Sequence, residues 1–207
     1  MAKEKQEIDK LKYEKEEQIK GNFIIAGVDE VGRGPLAGPV CVASVIMPLD
    51  DLIEGIDDSK KVSEKKRTAL AELIKEKAIA YSVQMVSEDV IDKINILQAT
   101  KLCMKQAIES LTLKPDVVLI DAIDKLDTDV NIRGIIKGDA LSYSIGCASI
   151  LAKVTRDEYM VQLAKEYPEY GFEKHKGYGT KVHIDALKKY GPCVHHRLSF
   201  LKFLEEK

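Results

Sequence analysis

"NFIIAGVDEVGRGPLAGPVCVASVIM", residues 22 to 47, sets two apolar, β-branched runs on either side of a glycine-rich stretch. The pattern is that of two strands joined by a tight connection. At its centre Asp29 and Glu30 stand directly before Gly32, Arg33 and Gly34. Neighbouring residues of a regular strand point to opposite faces, so two adjacent acids that act together require the strand to stop at them, and the glycines supply the break. Glycine also lets a ligand approach the backbone amides, and Arg33 adds a forked cation. The third glycine is Gly38, with Ala37 in its stead, so the dinucleotide fingerprint G-x-G-x-x-G is absent, as is a phosphate-loop lysine.

Outward from this unit, "SEKKRTALAELIKEKA" (63 to 78) reads as an amphipathic helix with Ser63 as N-cap, Glu64 in the first turn and Leu70, Leu73 and Ile74 on one face. "IAYSVQMV" (79 to 86) alternates like a half-buried strand, and "NILQATKLCMKQAIESL" (95 to 111) returns to helical spacing with Ile96, Leu97, Leu102 and Ile108 inward. "PDVVLIDA" (115 to 122) is a continuous apolar run, the mark of a strand buried on both faces, and it ends on Asp121. "IRGIIKGD" is a weaker strand ending at Asp139, and "LSYSIGCASILAKVTRDEYMVQLAKEY" is a long helix with Ser142 or Ser144 near its start. "GTKVHIDALKKYGP" opens a helix at Thr180 and closes it at Gly191 and Pro192, before a terminal "LSFLKFLEE" segment. Residues 1 to 20 alternate Lys and Glu with few apolar anchors and predict a frayed, exposed helical extension beside one folding unit over residues 21 to 207. The succession predicts an α/β fold, a mixed central sheet with helices on its faces.

Composition narrows the function classes. With 45% hydrophobic and 32% charged residues the chain is globular rather than disordered. No apolar run approaches the roughly 20 residues that span a bilayer, and the start is too charged for a signal peptide, so a soluble, cytoplasmic protein with no membrane partner is expected. The net charge of −2 does not announce a nucleic-acid binder. Any such binding must be local, and candidate basic surfaces are Lys60, Lys61, Lys65, Lys66 and Arg67, then Lys174, His175 and Lys176, then His195, His196 and Arg197. Cys41, Cys103 and Cys147 lie among apolar neighbours as buried reduced thiols do. Cys193, His195 and His196 lack the separations of a zinc site.

Asp29, Asp121 and Asp139 each follow an apolar, strand-like run. Sheets containing parallel strands place ligand sites at the carboxyl edges of strands, so these acids can converge. Clustered carboxylates raise one another's pKa and need compensating cations, and an all-oxygen ligand set selects Mg²⁺ or Mn²⁺ over zinc. Four acids could hold two ions about 3.5 to 4 Å apart, the arrangement of phosphoryl chemistry.

"VDEVGRGPLAGPVCVASV", "DDSKKVSEKKR", "LIDA", "IIKGDALSYSIGCASILAKVTRD" and "HKGYGTKVHIDALKKYGPCVHHRLSF" together resemble bacterial ribonuclease HII, in matching order from about residue 23 to about residue 200. The resemblance implies a ribonuclease H-like fold with a mixed five-stranded sheet and a small helical C-terminal part. It also implies a metal-dependent endonuclease that hydrolyses the RNA strand of RNA:DNA hybrids and cuts 5′ of single ribonucleotides in duplex DNA, leaving 5′-phosphate and 3′-hydroxyl ends. By resemblance the catalytic, metal-holding acids are Asp29, Glu30, Asp121 and Asp139, with Asp157 as supporting structure. Gly32, Arg33 and Gly34 match the motif that reads the ribonucleotide 2′-OH and phosphate, and Tyr178 matches the tyrosine that packs on the sugar beyond the junction. Backbone groups beside a 2′-OH can read it without reading sequence. Ser59, Lys60, Lys153 and Lys176 are candidate phosphate contacts. Leu141 departs from the family pattern of lysine or arginine, which argues against a phosphate contact there. A monomer without an obligate protein partner is expected. Ribonuclease HIII, a non-catalytic nucleic-acid-binding relative and a metal-dependent nucleotide enzyme are the rivals. Arg33 and the short N-terminus, the four intact acids, and the Gly32–Gly34 motif with Tyr178 argue against them in turn.

Overall fold

The computed structural model describes residues 9–57, 59, 62–123 and 125–204. β1 (Ile25–Val31) and β2 (Val40–Ile46) form the antiparallel pair that the flanking apolar runs predict. β3 (Ala80–Val86) adds antiparallel to β2. β4 (Val117–Asp121) and β5 (Asn131–Ile135) extend the other side as parallel strands, giving a five-stranded mixed sheet of order β3-β2-β1-β4-β5. α2 (Glu64–Lys77) and α5 (Tyr143–Glu166) close one core with Cys41, Ala43 and Val45, while α3 (Glu88–Glu109) closes the other with Val28, Val40 and Val42. The α/β expectation holds. Cys41, Cys103 and Cys147 are buried free thiols, also as expected, and burial pushes each of them upward in pKa.

α5 approaches β1 more closely than side chains would allow. A Cβ on Gly27 would lie 2.1 Å from the carbonyl carbon of Ser144 and 2.5 Å from the nitrogen of Ile145. Backbone therefore rests on backbone where α5 begins. Of the two serines near that start, Ser142 is the cap, its hydroxyl accepting the Ile145 N–H at 3.2 Å. Thr180 caps α7 (Lys181–Tyr190) by accepting the His183 N–H at 3.4 Å, and Gly191 follows that helix with φ +76°. A short α6 (Phe172–His175) and two 3₁₀ turns, Leu198–Phe200 and Lys202–Leu204, complete the small helical C-terminal part.

Several local expectations are corrected. β1 does not stop at Asp29: its ladder with β2 runs through Glu30↔Val42 to Val31↔Cys41, so the two acids lie inside the strand and the chain breaks at Gly32. β5 ends at Ile135, and Asp139 sits beyond it in a four-residue helix, α4 (Gly138–Leu141), after a left-handed turn at Lys137 (φ 60°). Leu73, Leu97 and Leu102 point outward. On α3 the inward face is Ala99, Cys103, Met104, Ala107 and Ile108, because small side chains let that helix lie close on the sheet, and a kink at Asn95 (φ 67°) resets its register. The N-terminal helix α1 (Lys12–Ile19) is no frayed appendage in its described part, because Glu14 and Glu17 are buried and Arg133 of β5 donates to Glu17 at 2.7 Å. Residues 1–8 of that extension lie outside the described residues.

Candidate active site

β1 and β4 run parallel, so their carboxyl ends meet at one sheet edge. The last registered pair, Val28↔Ile120, makes Asp29 and Asp121 the next residues on adjoining strands. Asp121 accepts the Gly138 N–H at 2.9 Å, which ties the short helix bearing Asp139 onto the end of β4. Asp139 itself accepts the Ala140 N–H at 2.9 Å. A Cβ on Gly138 would lie 2.6 Å from the Ile145 side chain, and one on Gly146 would lie 3.3 Å from the Asp139 carbonyl, so small residues let α4 press against α5. Leu141 ends α4 half-buried.

The charges at this edge do not balance. Burial holds the Asp29 carboxyl well above its usual pKa, and the charges of Glu30 and Asp121 add to the rise while a hydrogen bond with Ser149 opposes it. Glu30 is also raised, by burial first and then by Asp121, against the pull of Arg33, whose guanidinium lies 3.3 Å away. Asp121 thus acts on both neighbours, one on each face of β1, because Glu30 lies past the last β1–β4 pair. An excess of acid over base with oxygen donors alone suits a hard divalent cation. Among the described residues no group of three or more His, Cys, Asp or Glu side chains is drawn together closely enough to hold a metal ion as it stands.

Behind Asp29 runs a buried network. The hydroxyls of Ser149 and Ser59 lie 2.9 Å apart, Arg67 donates to the Ser59 carbonyl at 2.6 Å and lies 3.8 Å from Asp157, and Asp157 accepts from Lys153 at 2.7 Å. Ser59, Lys153 and Asp157 are thereby brought together, with Lys153 turned into the protein and its pKa lowered by burial. Lys60 and Lys61 lie outside the described residues. Arg67, assigned to a basic surface from the sequence, is buried because its guanidinium serves these carbonyls.

Beside the acids, Gly32 takes φ +90°, and the Gly32–Pro39 loop hangs on two arginines that are each 0% exposed. Arg156 donates to the carbonyls of Pro39, Ala37 and Lys176 at 2.9, 3.1 and 3.0 Å. Arg197 donates to those of Gly32, Arg33 and Gly38, at 2.6, 3.0 and 2.6 Å. The Leu36 N–H donates to the Gly177 carbonyl at 2.8 Å, which joins this loop to the one bearing Tyr178. Tyr178 is 41% exposed, and a Cβ on Gly34 would lie 3.8 Å from its ring. Lys176 stands in the same loop in a left-handed conformation (φ 52°). A groove of about 780 Å³ lies on the outer side of α3 between Ile94, Leu102 and Lys125, but none of the four acids lines it.

The family model described as Ribonuclease HII matches residues 26–203. The chain belongs to the ribonuclease HII family. Membership makes it an endoribonuclease acting on RNA:DNA hybrids. The ribonuclease HII of Caldicellulosiruptor bescii is 57% identical over 94% of this chain and 95% of its own. Among solved structures, ribonuclease H2 of Pyrococcus horikoshii superposes with TM-score 0.71 at 27% identity, covering 88% of this chain and 99% of its own. The ribonuclease HII of Archaeoglobus fulgidus, solved in complex with PCNA, does so with TM-score 0.73 at 28% identity, covering 84% and 94%.

In this ribonuclease HII family chain the sequence reading passed over Ser149 and Arg156 and misplaced Arg197. A periodic signal marks the first two: Gly146, Ser149, Lys153, Arg156 and Met160 recur at alternating spacings of three and four along α5, one stripe facing the acids and the glycine loop. The surface assigned to His195, His196 and Arg197 is also corrected. His196 and Arg197 are buried, and His195 lies 3.4 Å from Glu88. His175 is buried too, stacked on His183 at 4.5 Å, and His183 meets His196 through their Nε2 atoms at 3.0 Å. These rings pack around Phe172, and burial lowers the pKa of His183 and takes that of His196 down to about 4.

Proposed function

We propose that the chain hydrolyses the RNA strand of RNA:DNA hybrids and cuts 5′ of single ribonucleotides embedded in duplex DNA, initiating their removal and leaving 5′-phosphate and 3′-hydroxyl ends. The observation that carries this reading is the meeting of Asp29, Glu30 and Asp121 at one sheet edge, beside a glycine loop that lies under the exposed ring of Tyr178. Asp29, Glu30, Asp121 and Asp139 are the acids that would hold Mg²⁺ or Mn²⁺, two ions in the active complex. When bound, such ions supply a polarised water and neutralise charge on the attacked phosphodiester.

The chain's own residues do the rest. The buried arginines direct the carbonyls of residues 32, 33 and 37 to 39 inward, which leaves the other side of the Gly32–Gly34 backbone for the substrate. Without a side chain at Gly34, a 2′-OH can come within hydrogen-bond reach of that backbone, whereas the missing side chain at Gly32 makes room for Arg156, whose Nε would lie 2.2 Å from a Cβ there. Tyr178 offers its ring to the neighbouring sugar, and Arg33 adds positive charge beside the phosphate. Lys60 and Lys176 are proposed as phosphate contacts, while Ser59 and Lys153, first read as phosphate contacts too, belong to the buried network behind Asp29 and would support the acids, with Asp157 holding Lys153 in place. The proposed site comes from a single chain, which is the ground for reading the protein as a monomer with nucleic acid as its partner, acting in the cytoplasm. Among the described residues no helix is long and apolar enough to cross a membrane.

The test is cleavage of a labelled DNA duplex containing one ribonucleotide, with an all-DNA duplex and a continuous RNA:DNA hybrid beside it, in Mg²⁺ and in Mn²⁺. One cut on the 5′ side of the ribonucleotide, none in all-DNA, is the expected result. Cleavage of the hybrid alone would overturn junction recognition by the glycine loop.

A further inference from the structure

The segment from Lys10 to Glu17 precedes the residues that the family model matches, which begin at 26. Yet its contacts fall on the stretch that carries Asp139. Lys10 donates through Nζ to the carbonyl of Ala140 at 2.6 Å and to Asp57 at 2.9 Å, and its own carbonyl accepts the Tyr143 N–H at 2.8 Å. Glu14 is 0% exposed, and one oxygen of its carboxylate accepts from the Ser142 hydroxyl at 2.6 Å and the Ser144 N–H at 3.0 Å. Four residues that follow Asp139 are therefore held by two side chains and one carbonyl of the N-terminal segment. On the near side of Asp139, Arg133 of β5 binds Glu16 and Glu17 of the same helix.

The stretch so bracketed has little rigidity of its own. α4 is a single turn of four residues, too short to be stable alone, and it follows a left-handed residue at Lys137. Apart from α1, its first residue is tied by its N–H to Asp121 and by its carbonyl to the Ser142 N–H at 2.8 Å, and the turn packs on α5 through Gly138 and Gly146. A buried carboxylate is costly unless it is bonded, and it is tolerated here at the N-terminal end of α5, where unpaired N–H groups and the helix dipole favour negative charge. A conformation held by such a carboxylate is specified rather than loosely packed.

We propose that α1 and Lys10 clamp the Gly138–Ser144 segment, with Lys10 and Glu14 as positioning residues that set the orientation of Asp139. The inference rests on the reading of Asp139 as a catalytic acid. It is tested with Lys10→Met, Glu14→Ala and Glu14→Gln in the full chain. Ile108→Val, in the core on the opposite face of the sheet, serves as a control for general loss of stability. Hydrogen exchange of the amides of residues 138 to 144 is read in metal-free protein, and kcat and KM are read on a continuous hybrid well below the unfolding temperature. Lys10→Met and Glu14→Ala are expected to speed exchange across that segment and to lower kcat about tenfold with KM within about twofold, the signature of lost alignment rather than lost binding. Glu14→Gln, which keeps an acceptor oxygen, is expected to recover most of both, and Ile108→Val to change neither. Unchanged exchange in the two disruptive variants, or a kcat loss no larger than in Ile108→Val, overturns the clamp. Full turnover in Asp139→Asn would overturn the role of Asp139, and exchange would then still report whether the segment is clamped, so the two failures are distinguishable.

Discussion

Asp29 concentrates the electrostatic problem of the site in one side chain. Its carboxyl is buried and faces the charges of Glu30 and Asp121, so without a cation it is held in place at the expense of stability. Asp29→Asn is therefore expected to abolish turnover and yet to raise the melting temperature of metal-free protein at neutral pH, by about 1 kcal/mol or more in stability, as calorimetry in a chelator would show. An unchanged or lower melting temperature would contradict the charge imbalance. Asp139→Asn should also abolish turnover while circular dichroism reports an intact fold. Tyr178→Ala should weaken single-ribonucleotide cleavage more than cleavage of long hybrids. These residues were proposed from the sequence because each acid follows an apolar run and the resemblance matched them one by one. Their geometry was less legible. Strand alternation argued that Asp29 and Glu30 could not act together inside a strand. The structure keeps them on opposite faces and lets Asp121 act on both past the end of the β1–β4 ladder, a consequence of register that no local pattern encodes.

At the level of elements, the glycine loop is built from outside itself. Arg197 reaches three loop carbonyls from the far end of the chain, and Arg156 reaches two more from α5 as well as that of Lys176. Lysine carries the same charge but lacks the planar fork that serves several acceptors at once. Arg197→Lys is expected to lower stability by roughly 3 kcal/mol in urea unfolding and to raise KM for the hybrid, because buried carbonyls lose their donors and the loop slackens. The positions of the strands, though not where β1 and β5 end, the long helix, and the two caps of α7 at Thr180 and Gly191 were legible because each follows from periodicity or from a residue with one strong local preference. The outward turn of Leu97 and Leu102 was not, since the small residues Ala99, Cys103 and Ala107 take the face that lies on the sheet. Nor was the exposure of Leu73, where buried Arg67 shares the inner face with Leu70 and Ile74.

Over the whole molecule, a net charge of −2 coexists with a proposed nucleic-acid site, so the basic groups must act locally rather than through the overall field. Several of the cations that looked available to a duplex are spent inside the protein, Arg67 and Arg197 on carbonyls and Lys153 on Asp157. The C-terminal part carries a pH sensitivity of its own. His196 is depressed from 6.5 to about 4 and His183 is lowered as well, so the unfolded chain takes up these protons before the folded one does. Stability from the neutral rings is complete above pH 6.5 and is lost as pH falls from there toward about 4. Melting temperatures measured across that window should fall, and His196→Gln should flatten the fall; an equal slope in the variant would contradict it.

The contact at Gly27 bears on all of this. Between β1 and α5 there is no side chain at that point to repack, rotate or yield, so any displacement of the helix passes undamped to the strand two residues before Asp29. Most of a protein interior behaves as a close-packed but adjustable solid. Here two main chains abut directly, so the strand that carries Asp29 and Glu30 is set by the start of α5 with no side chain between them, whereas Asp139, beyond β4, has no such contact and depends on the side chains around it.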